Sequence, residues 1–144
     1  MQNFQSFQEL LNSPQKVVIT CHFKPDADAL GSSLALAGFL KKMNHSVSVI
    51  TPSDYPDFLN WMPGNDSVIV YEKGKNDFLI NKLIAEASLL FCLDFSALSR
   101  IQDLEKPVAL SKAQKVMIDH HTNPESFAEF VFHDTKAAAT AELI

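Results

Sequence analysis

The chain has 144 residues, 47% of them hydrophobic, which is enough for one globular domain with a sizeable core. Its net charge of −5, from 17 acidic and 12 basic residues, disfavours a broad positive surface for long nucleic acids but not a small phosphorylated substrate. All apolar runs fall short of the roughly 20 residues that span a bilayer, and the N-terminus lacks the pattern of a signal peptide. A cytoplasmic protein with no membrane contact is therefore expected.

The first part of the chain predicts helices that alternate with strands. Apolar residues at helical spacing over 4–11 indicate a short amphipathic helix, and the same spacing over 30–43 indicates a second helix. The β-branched run 16–20 predicts a buried strand that ends at Cys21 and His22. Over 46–51, apolar and polar residues alternate, which favours an exposed or edge strand.

Residues 52–64 are rich in turn formers and contain Tyr55, Phe58 and Trp61. Aromatic side chains at such spacing usually pack against a core. We therefore interpret this stretch as a loop or short helix that its aromatic rings hold onto the core.

The remainder of the chain continues the alternation of strands and helices. The continuous apolar run 89–94, which ends in Asp94, is typical of a central parallel strand. The other predicted elements are strands at 68–71, 115–118 and 129–133, a helix at 78–87, and a helix at 96–110 with an interruption at Pro107. This rhythm predicts an α/β fold with a mainly parallel sheet flanked by helices.

The last residues, 136–144, predict a helix that breaks off after about two turns without a capping residue. Such an ending is unusual for a natural C-terminus. Residues 1–144 are therefore expected to be a fragment of a longer protein.

Three predicted strands end in carboxylates or imidazoles. The first is followed by His22, Asp26 and Asp28, the central one by Asp94, and the next by the triplet Asp119, His120 and His121. Functional side chains gather at the carboxyl ends of the strands in an open parallel sheet. The sequence therefore predicts a cluster of nitrogen and oxygen donors, suited to divalent cations, at this edge of the sheet.

Each of these residues also has a structural interpretation. His22 can be a hydrogen-bonded core histidine, and Asp28 can cap the helix that follows it. Asp94 can be a turn former, and Asp119 can accept a hydrogen bond from an imidazole without touching a metal. Capping does not call for three histidines at strand ends, so joint placement favours the metal site. Cys21 and Cys92 are interpreted as buried free thiols.

Hydrolysis at phosphorus is the chemistry that needs such a set of ligands. Two divalent ions that share a carboxylate and a water can lower the pKa of that water and neutralise charge on a phosphoryl group. Asp94, at the end of the central strand, is the natural shared ligand. Mixed carboxylate and imidazole ligation suits Mn²⁺ best, with Mg²⁺ or Co²⁺ as alternatives.

These motifs resemble the DHH phosphoesterase superfamily, which is named for the triplet found here at 119–121. The stretch from His22 to Asp28 resembles the first family motif, Asp94 after LLFCL the second, and VMIDHH the third. The N-terminal helix, the WMPG stretch and the segment DTKAAATAEL are similar to the branch that contains nano-RNases and 3′-phosphoadenosine-5′-phosphate phosphatases.

The resemblance implies a role for each residue. By analogy, His22 and Asp26 bind one Mn²⁺ ion, Asp28 and His120 bind a second, and Asp94 bridges the two ions. Catalytic His121 would face the substrate phosphate, and Asp119 would orient the histidines.

The resemblance also implies that residues 1–144 form the N-terminal catalytic domain. The aspartate of the fourth family motif and the C-terminal domain that grips the substrate would follow Ile144. A homodimer is left open.

Three functions remain in competition. The first is a Mn²⁺-dependent phosphoesterase for short oligonucleotides or nucleotide 3′-phosphates. The second is an inorganic pyrophosphatase or exopolyphosphatase, and the third is a non-catalytic nucleotide-binding regulatory domain. The intact set of candidate ligands favours an enzyme.

Overall fold

The computed structural model describes residues 4–144 and contains a six-stranded sheet, all of whose strand pairs are parallel, in the order β3-β2-β1-β4-β5-β6. The predicted α/β fold is confirmed. The strands are β1 Lys16–Cys21, β2 Ser46–Thr51, β3 Ile69–Val70, β4 Leu89–Leu93, β5 Gln114–Asp119 and β6 Phe130–His133. The helices are α1 Phe4–Leu11, α2 Ala27–Lys42, α3 Asp77–Glu86 and α4 Glu105–Leu110.

Strands β1 and β4 form the middle of the sheet and pair in register from Val17↔Leu89 to Cys21↔Leu93. Both are continuous apolar runs because each strand has neighbours on both sides and helices on both faces. The chain builds the sheet outward from β1 through β3, then returns to the middle at β4 and builds outward in the other direction. The order therefore reverses between β1 and β4, and this reversal opens a crevice at their carboxyl ends.

The helices cover the two faces of the sheet and bury a separate apolar cluster on each. On one face α1 and α2 pack against Ile19 and Phe91, with Phe7 edge-on to Phe91 at a ring distance of 6.1 Å. On the other face α3 and α4 pack against Leu90 and Cys92. Cys21 and Cys92 are buried free thiols, as predicted. Among residues 4–144, no helix has both the length and the apolar character needed to cross a bilayer.

The predicted packing of the aromatic stretch 52–64 is wrong for two of its three rings. Phe58 and Trp61 are 72% and 75% exposed, whereas Leu59 between them is buried. The short 3₁₀ turn Asp57–Leu59 places these neighbours on different sides of the chain. Leu59 thus anchors this stretch.

Two further predictions concern β2 and Pro107. The greater exposure predicted for β2 is confirmed, since Ser46 is exposed and Val47 and Ser48 are half-buried. β2 is not an edge strand, although β3 covers only its last two residues, Ile50 and Thr51. Pro107 does not interrupt a helix, because it lies in the first turn of α4, where backbone N–H groups have no intrahelical partner. The irregular residue is Gln102, with φ 51°, inside a preceding 3₁₀ segment.

The predicted helix over 136–144 is also wrong. The structure has a 3₁₀ turn there, Thr140–Leu143, preceded by an extended residue at Ala139. The turn forms in place of a helix because its first residue donates long-range hydrogen bonds to the site described next.

Candidate metal centre

The residues that follow β1, β4 and β5 meet at the carboxyl edge of the sheet, in the crevice where the strand order reverses. They form two compact groups of potential ligands, His22 with Asp26 and Asp94, and His120 with His121 and Asp94. Within each group the candidate ligand atoms lie within 4.8 Å of one another. Asp94 belongs to both groups, as expected of a bridging residue.

In the first group, the imidazole of His22 faces two carboxylates. Its Nε2 lies 3.3 Å from Oδ2 of Asp94 and 3.7 Å from Oδ1 of Asp26. Its Nδ1 lies 2.8 Å from the carbonyl oxygen of Phe23 and donates to it, which leaves Nε2 to face the cluster. The hydrogen bond to Asp94 raises the pKa of His22 above its ordinary value of 6.5, although burial opposes this effect.

In the second group, His120 takes the corresponding position. Its Nε2 lies 3.5 Å from Oδ1 of Asp94 and 3.7 Å from Oδ2 of Asp28. Its Nδ1 donates to the carbonyl oxygen of Ala137 at 3.2 Å, so Nε2 again faces the carboxylates. The two oxygens of Asp94 therefore face different imidazoles.

Asp94 sits in a strained and buried position. Its side chain is 2% exposed, and its backbone has φ 63°, a left-handed conformation that is uncommon for residues other than glycine. Burial alone would raise the pKa of Asp94, but hydrogen bonds from His22 and Thr140 and the nearby imidazoles hold it below its ordinary value. The structure thus keeps this carboxylate ionised in a place where ionisation is costly unless it is paired.

Asp119 and His121 form a separate pair at the rim of the cluster. Asp119 is fully buried and accepts hydrogen bonds from the backbone N–H of His121 at 3.1 Å and from its Nδ1 at 2.6 Å. The side chain of His121 is 45% exposed, and its Nε2 is the nitrogen not engaged by Asp119. Among the described contacts, Asp119 orients only His121. The ring of His120 is held by the carbonyl oxygen of Ala137 instead.

Asp26 and Asp28 differ in what they hold. Asp26 is the N-cap of α2, where its Oδ1 accepts a hydrogen bond from the backbone N–H of Ala29. Asp28, the capping residue considered from the sequence, does not cap the helix. Asp28 lies in the first turn and accepts from the backbone N–H groups of Thr140 and Ala141, each at 2.9 Å. Both carboxylates keep further lone pairs for a cation.

Thr140 is the residue of the site that motif reasoning did not single out. Its hydroxyl donates to Oδ1 of Asp94 at 2.8 Å, and the residue is fully buried. The available signal is its place in the segment DTKAAATAEL, part of which the local sequence pattern predicts to be a helix.

The donor set fits divalent cations of the harder type. Carboxylate oxygens and imidazole nitrogens converge, while both thiols are buried and burial strongly raises the pKa of each. A fully buried aspartate in contact with imidazoles of both groups is an arrangement that bound cations would satisfy.

The fold and the site together define a class of protein. It is an α/β domain with a candidate two-ion site at the carboxyl edge of its parallel sheet, where two carboxylate–imidazole groups share one aspartate. The chain belongs to the DHH family, since the family model for the DHH N-terminal domain matches residues 16–144. This match confirms the family that the three motifs suggested.

Curated relatives place the chain in the predicted branch of this family. Over its whole length it is 26% identical to a probable bifunctional oligoribonuclease and PAP phosphatase of Streptococcus mutans, and the alignment covers 42% of that protein. It is 28% identical over 97% of its length to 22% of a cyclic-di-AMP phosphodiesterase of Listeria monocytogenes. The chain therefore spans less than half the length of these relatives.

Solved structures show the same fold. An exopolyphosphatase-related protein of Bacteroides fragilis superposes with a TM-score of 0.91 at 41% identity, over 96% of this chain and 40% of that one. The exonuclease RecJ bound to manganese superposes with a TM-score of 0.53 at 16% identity, over 96% of this chain and 33% of that one, a likeness of fold alone.

Proposed function

We propose that the protein is a metal-dependent phosphoesterase that hydrolyses phosphodiester or phosphomonoester bonds in short oligonucleotides or nucleotide 3′-phosphates. The observation that carries the proposal is the division of Asp94, whose Oδ2 faces His22 and whose Oδ1 faces His120. This arrangement suits a carboxylate that bridges two cations. The names of the curated relatives support the substrate class.

In this proposal the chain supplies ligands for two ions, preferably Mn²⁺, with Mg²⁺ or Co²⁺ as alternatives. His22 and Asp26 hold one ion, Asp28 and His120 hold the other, and Asp94 holds both. When bound, the ions supply a water of lowered pKa and neutralise the charge of the phosphoryl oxygens. No ligand is a thiolate.

His121 acts on the substrate side of the cluster. Its Nδ1–H donates to buried Asp119, so the ring orientation is set and Nε2 is the nitrogen left for a substrate. Nε2 can hydrogen-bond a phosphoryl oxygen or pass a proton to the leaving oxygen.

We also propose that residues 1–144 act as the N-terminal catalytic domain of a longer protein. The support is the length of the relatives, of which the chain matches 42% and 22%. A further domain would close the crevice over the substrate and add an aspartate ligand for the second ion.

The test is a substrate panel on the intact protein with Mn²⁺ and with EDTA. The substrates are a dinucleotide RNA, 3′-phosphoadenosine 5′-phosphate, linear di-adenylate and pyrophosphate. Hydrolysis of the nucleotide substrates, abolished by EDTA and restored by Mn²⁺, is expected. Hydrolysis that is insensitive to EDTA would contradict the proposal.

The second candidate is a phosphatase for pyrophosphate or polyphosphate. The observation that favours it is the 41% identity to a protein described as exopolyphosphatase-related. Turnover of pyrophosphate or polyphosphate without turnover of any nucleotide in the same panel would select this candidate. Absence of all turnover with retained nucleotide binding would select a regulatory domain.

A further inference from the structure

The segment 137–141 contacts, from outside the cluster, the three side chains assigned to the second ion, which are Asp28, Asp94 and His120. The carbonyl oxygen of Ala137 accepts from Nδ1 of His120 at 3.2 Å, and the hydroxyl of Thr140 donates to Oδ1 of Asp94 at 2.8 Å. The backbone N–H groups of Thr140 and Ala141 donate to the two oxygens of Asp28 at 2.9 Å each. One short segment thus touches every side chain assigned to the second ion.

The first ion position is held by other parts of the chain. His22 is oriented by the carbonyl oxygen of its neighbour Phe23, and Asp26 is oriented by the backbone N–H of Ala29 at the start of α2. Both contacts lie within three residues of the ligand. Of the contacts from 137–141, those to Asp28 and His120 reach the second position alone, and the one to Asp94 is on the oxygen that faces His120.

Thr140 is the residue of this segment whose side chain hydrogen-bonds the site. It is fully buried, and its hydroxyl donates to the Asp94 oxygen on the His120 side. A hydroxyl that donates to a carboxylate oxygen limits the rotation of the carboxylate and uses one lone pair of that oxygen, which leaves the other for a cation. The same donor offsets the repulsion between the carboxylates brought together here.

We propose that Thr140 is a positioning residue for the second cation, and that order in the segment 137–141 and occupancy of this position are coupled. This inference rests on the proposed two-ion site. Hydrogen bonds to the outer side of metal ligands commonly change metal affinity by about 10- to 100-fold. Because coupling is reciprocal, a cation at the second position must also stabilise the segment that holds its ligands.

The first experiment compares Mn²⁺ binding to the intact protein with Thr140→Val, Thr140→Ser and Thr51→Val. Thr51→Val is the matched control, because Thr51 is also fully buried but its hydroxyl has no hydrogen-bond partner among residues 4–144. Titration calorimetry resolves the two binding steps, and electron paramagnetic resonance detects the spin coupling of paired Mn²⁺ ions. Thr140→Val is expected to weaken the second step about tenfold, leave the first nearly unchanged and reduce the coupled signal.

Thr140→Ser keeps the hydroxyl and is expected to restore most of the second step, while Thr51→Val binds as the wild type does. A second step unchanged in Thr140→Val, or both steps weakened equally, would overturn the inference. Wild-type protein that binds no Mn²⁺ would instead overturn the proposed function, so the two failures are distinguishable.

A second measurement on the wild-type protein covers the case in which Thr140→Val fails to fold. Hydrogen exchange at the backbone N–H groups of Thr140 and Ala141 is compared with and without two equivalents of Mn²⁺. Slower exchange with Mn²⁺ is expected at these two groups, with little change in α3 on the far side of the sheet. Equal exchange in both conditions would contradict the coupling.

Discussion

Asp94 combines burial, charge and an unfavourable backbone conformation at one position. A residue with a Cβ at φ 63° costs folding free energy on the order of 1–3 kcal/mol, and a buried carboxylate adds a desolvation cost. The hydroxyl of Thr140 and the imidazole of His22 offset part of this cost. Strain of this kind persists when it serves a site, and here it aims one carboxylate at two imidazoles.

Asp94→Asn is expected to abolish Mn²⁺-dependent hydrolysis while leaving the fold in place. Asparagine tolerates a positive φ, so the backbone is kept, but each ion loses a negatively charged ligand. Steady-state rates with Mn²⁺ and circular dichroism check the two halves of this expectation. The control is Asp66→Asn at an exposed turn. A rate within about tenfold of wild type, or roughly 1.4 kcal/mol of barrier, would show that Asp94 does not bridge.

The pair of His22 and Asp94 predicts a pH dependence for the metal-free protein. The pKa of His22 is raised above 6.5 in the folded state, so its stabilisation is complete below pH 6.5 and is lost as pH rises through the folded-state pKa. The pKa of Asp94 is lowered below 3.8, so its contribution is present above pH 3.8 and is lost as pH falls.

The measurement is the melting temperature of EDTA-treated protein across pH 5–8, for wild type and His22→Gln. The advantage of wild type over His22→Gln is expected to shrink as pH rises across this range. Mn²⁺ affinity should rise over the same range, since a cation competes with the proton on His22. A constant advantage would show that the imidazole is not protonated in the metal-free fold.

At the scale of elements, strands were predicted more accurately than the connections between them. The runs that became β1 and β4 have a continuous apolar pattern that only a doubly covered central strand requires, so local sequence was sufficient. The 3₁₀ turn at Thr140–Leu143 depends on Asp28, 112 residues earlier, which accepts from its first N–H group. Such a contact leaves no trace in local periodicity.

The loop around the 3₁₀ turn Asp57–Leu59 illustrates the same limit for side chains. Aromatic spacing indicates that rings are near one another, but the turn decides which side chain enters the core. Leu59 is buried, and Phe58 and Trp61 are not. In the candidate site, the motif residues were predicted because strand ends share an edge, whereas Thr140 was missed because its role depends on tertiary contacts alone.

Trp61→Ala is expected to change the free energy of unfolding by less than about 0.5 kcal/mol, because the side chain is 75% exposed. Leu59→Ala, two residues away, should cost about 2–5 kcal/mol, because Leu59 is 2% exposed. Urea unfolding of the two variants provides the comparison. If Trp61→Ala costs as much as Leu59→Ala, the indole is covered by another part of the protein or by a partner.

At the scale of the whole molecule, the open crevice between β1 and β4 sets what the domain can do alone. In the proposed site each ion position has three candidate ligands from residues 4–144, and the second position would gain a fourth, an aspartate, from the further domain that closes the crevice. Substrate positioning and exclusion of water each contribute several kcal/mol to catalysis, and both need a closed site.

Residues 1–144 on their own are therefore expected to bind the second Mn²⁺ weakly and to turn over little substrate. Calorimetric titration with Mn²⁺ and a dinucleotide assay on this purified domain measure both quantities. Two tightly bound ions with rapid turnover would show that the domain is sufficient for catalysis.

The contacts of Asp28 with residues 140–141, more than a hundred positions later in the chain, affect when the site can form during synthesis. Thr140 contacts side chains 112 and 46 residues earlier in the chain. Because synthesis runs from the N-terminus, His22 and Asp26 leave the ribosome long before the residues that hold Asp28 and Asp94 in place. In the proposed two-ion site, a nascent chain would hold at most one ion until residues 137–141 have emerged. Metal loading would then follow synthesis of this segment, and a chain interrupted before it would lack the contacts to Asp28 and Asp94.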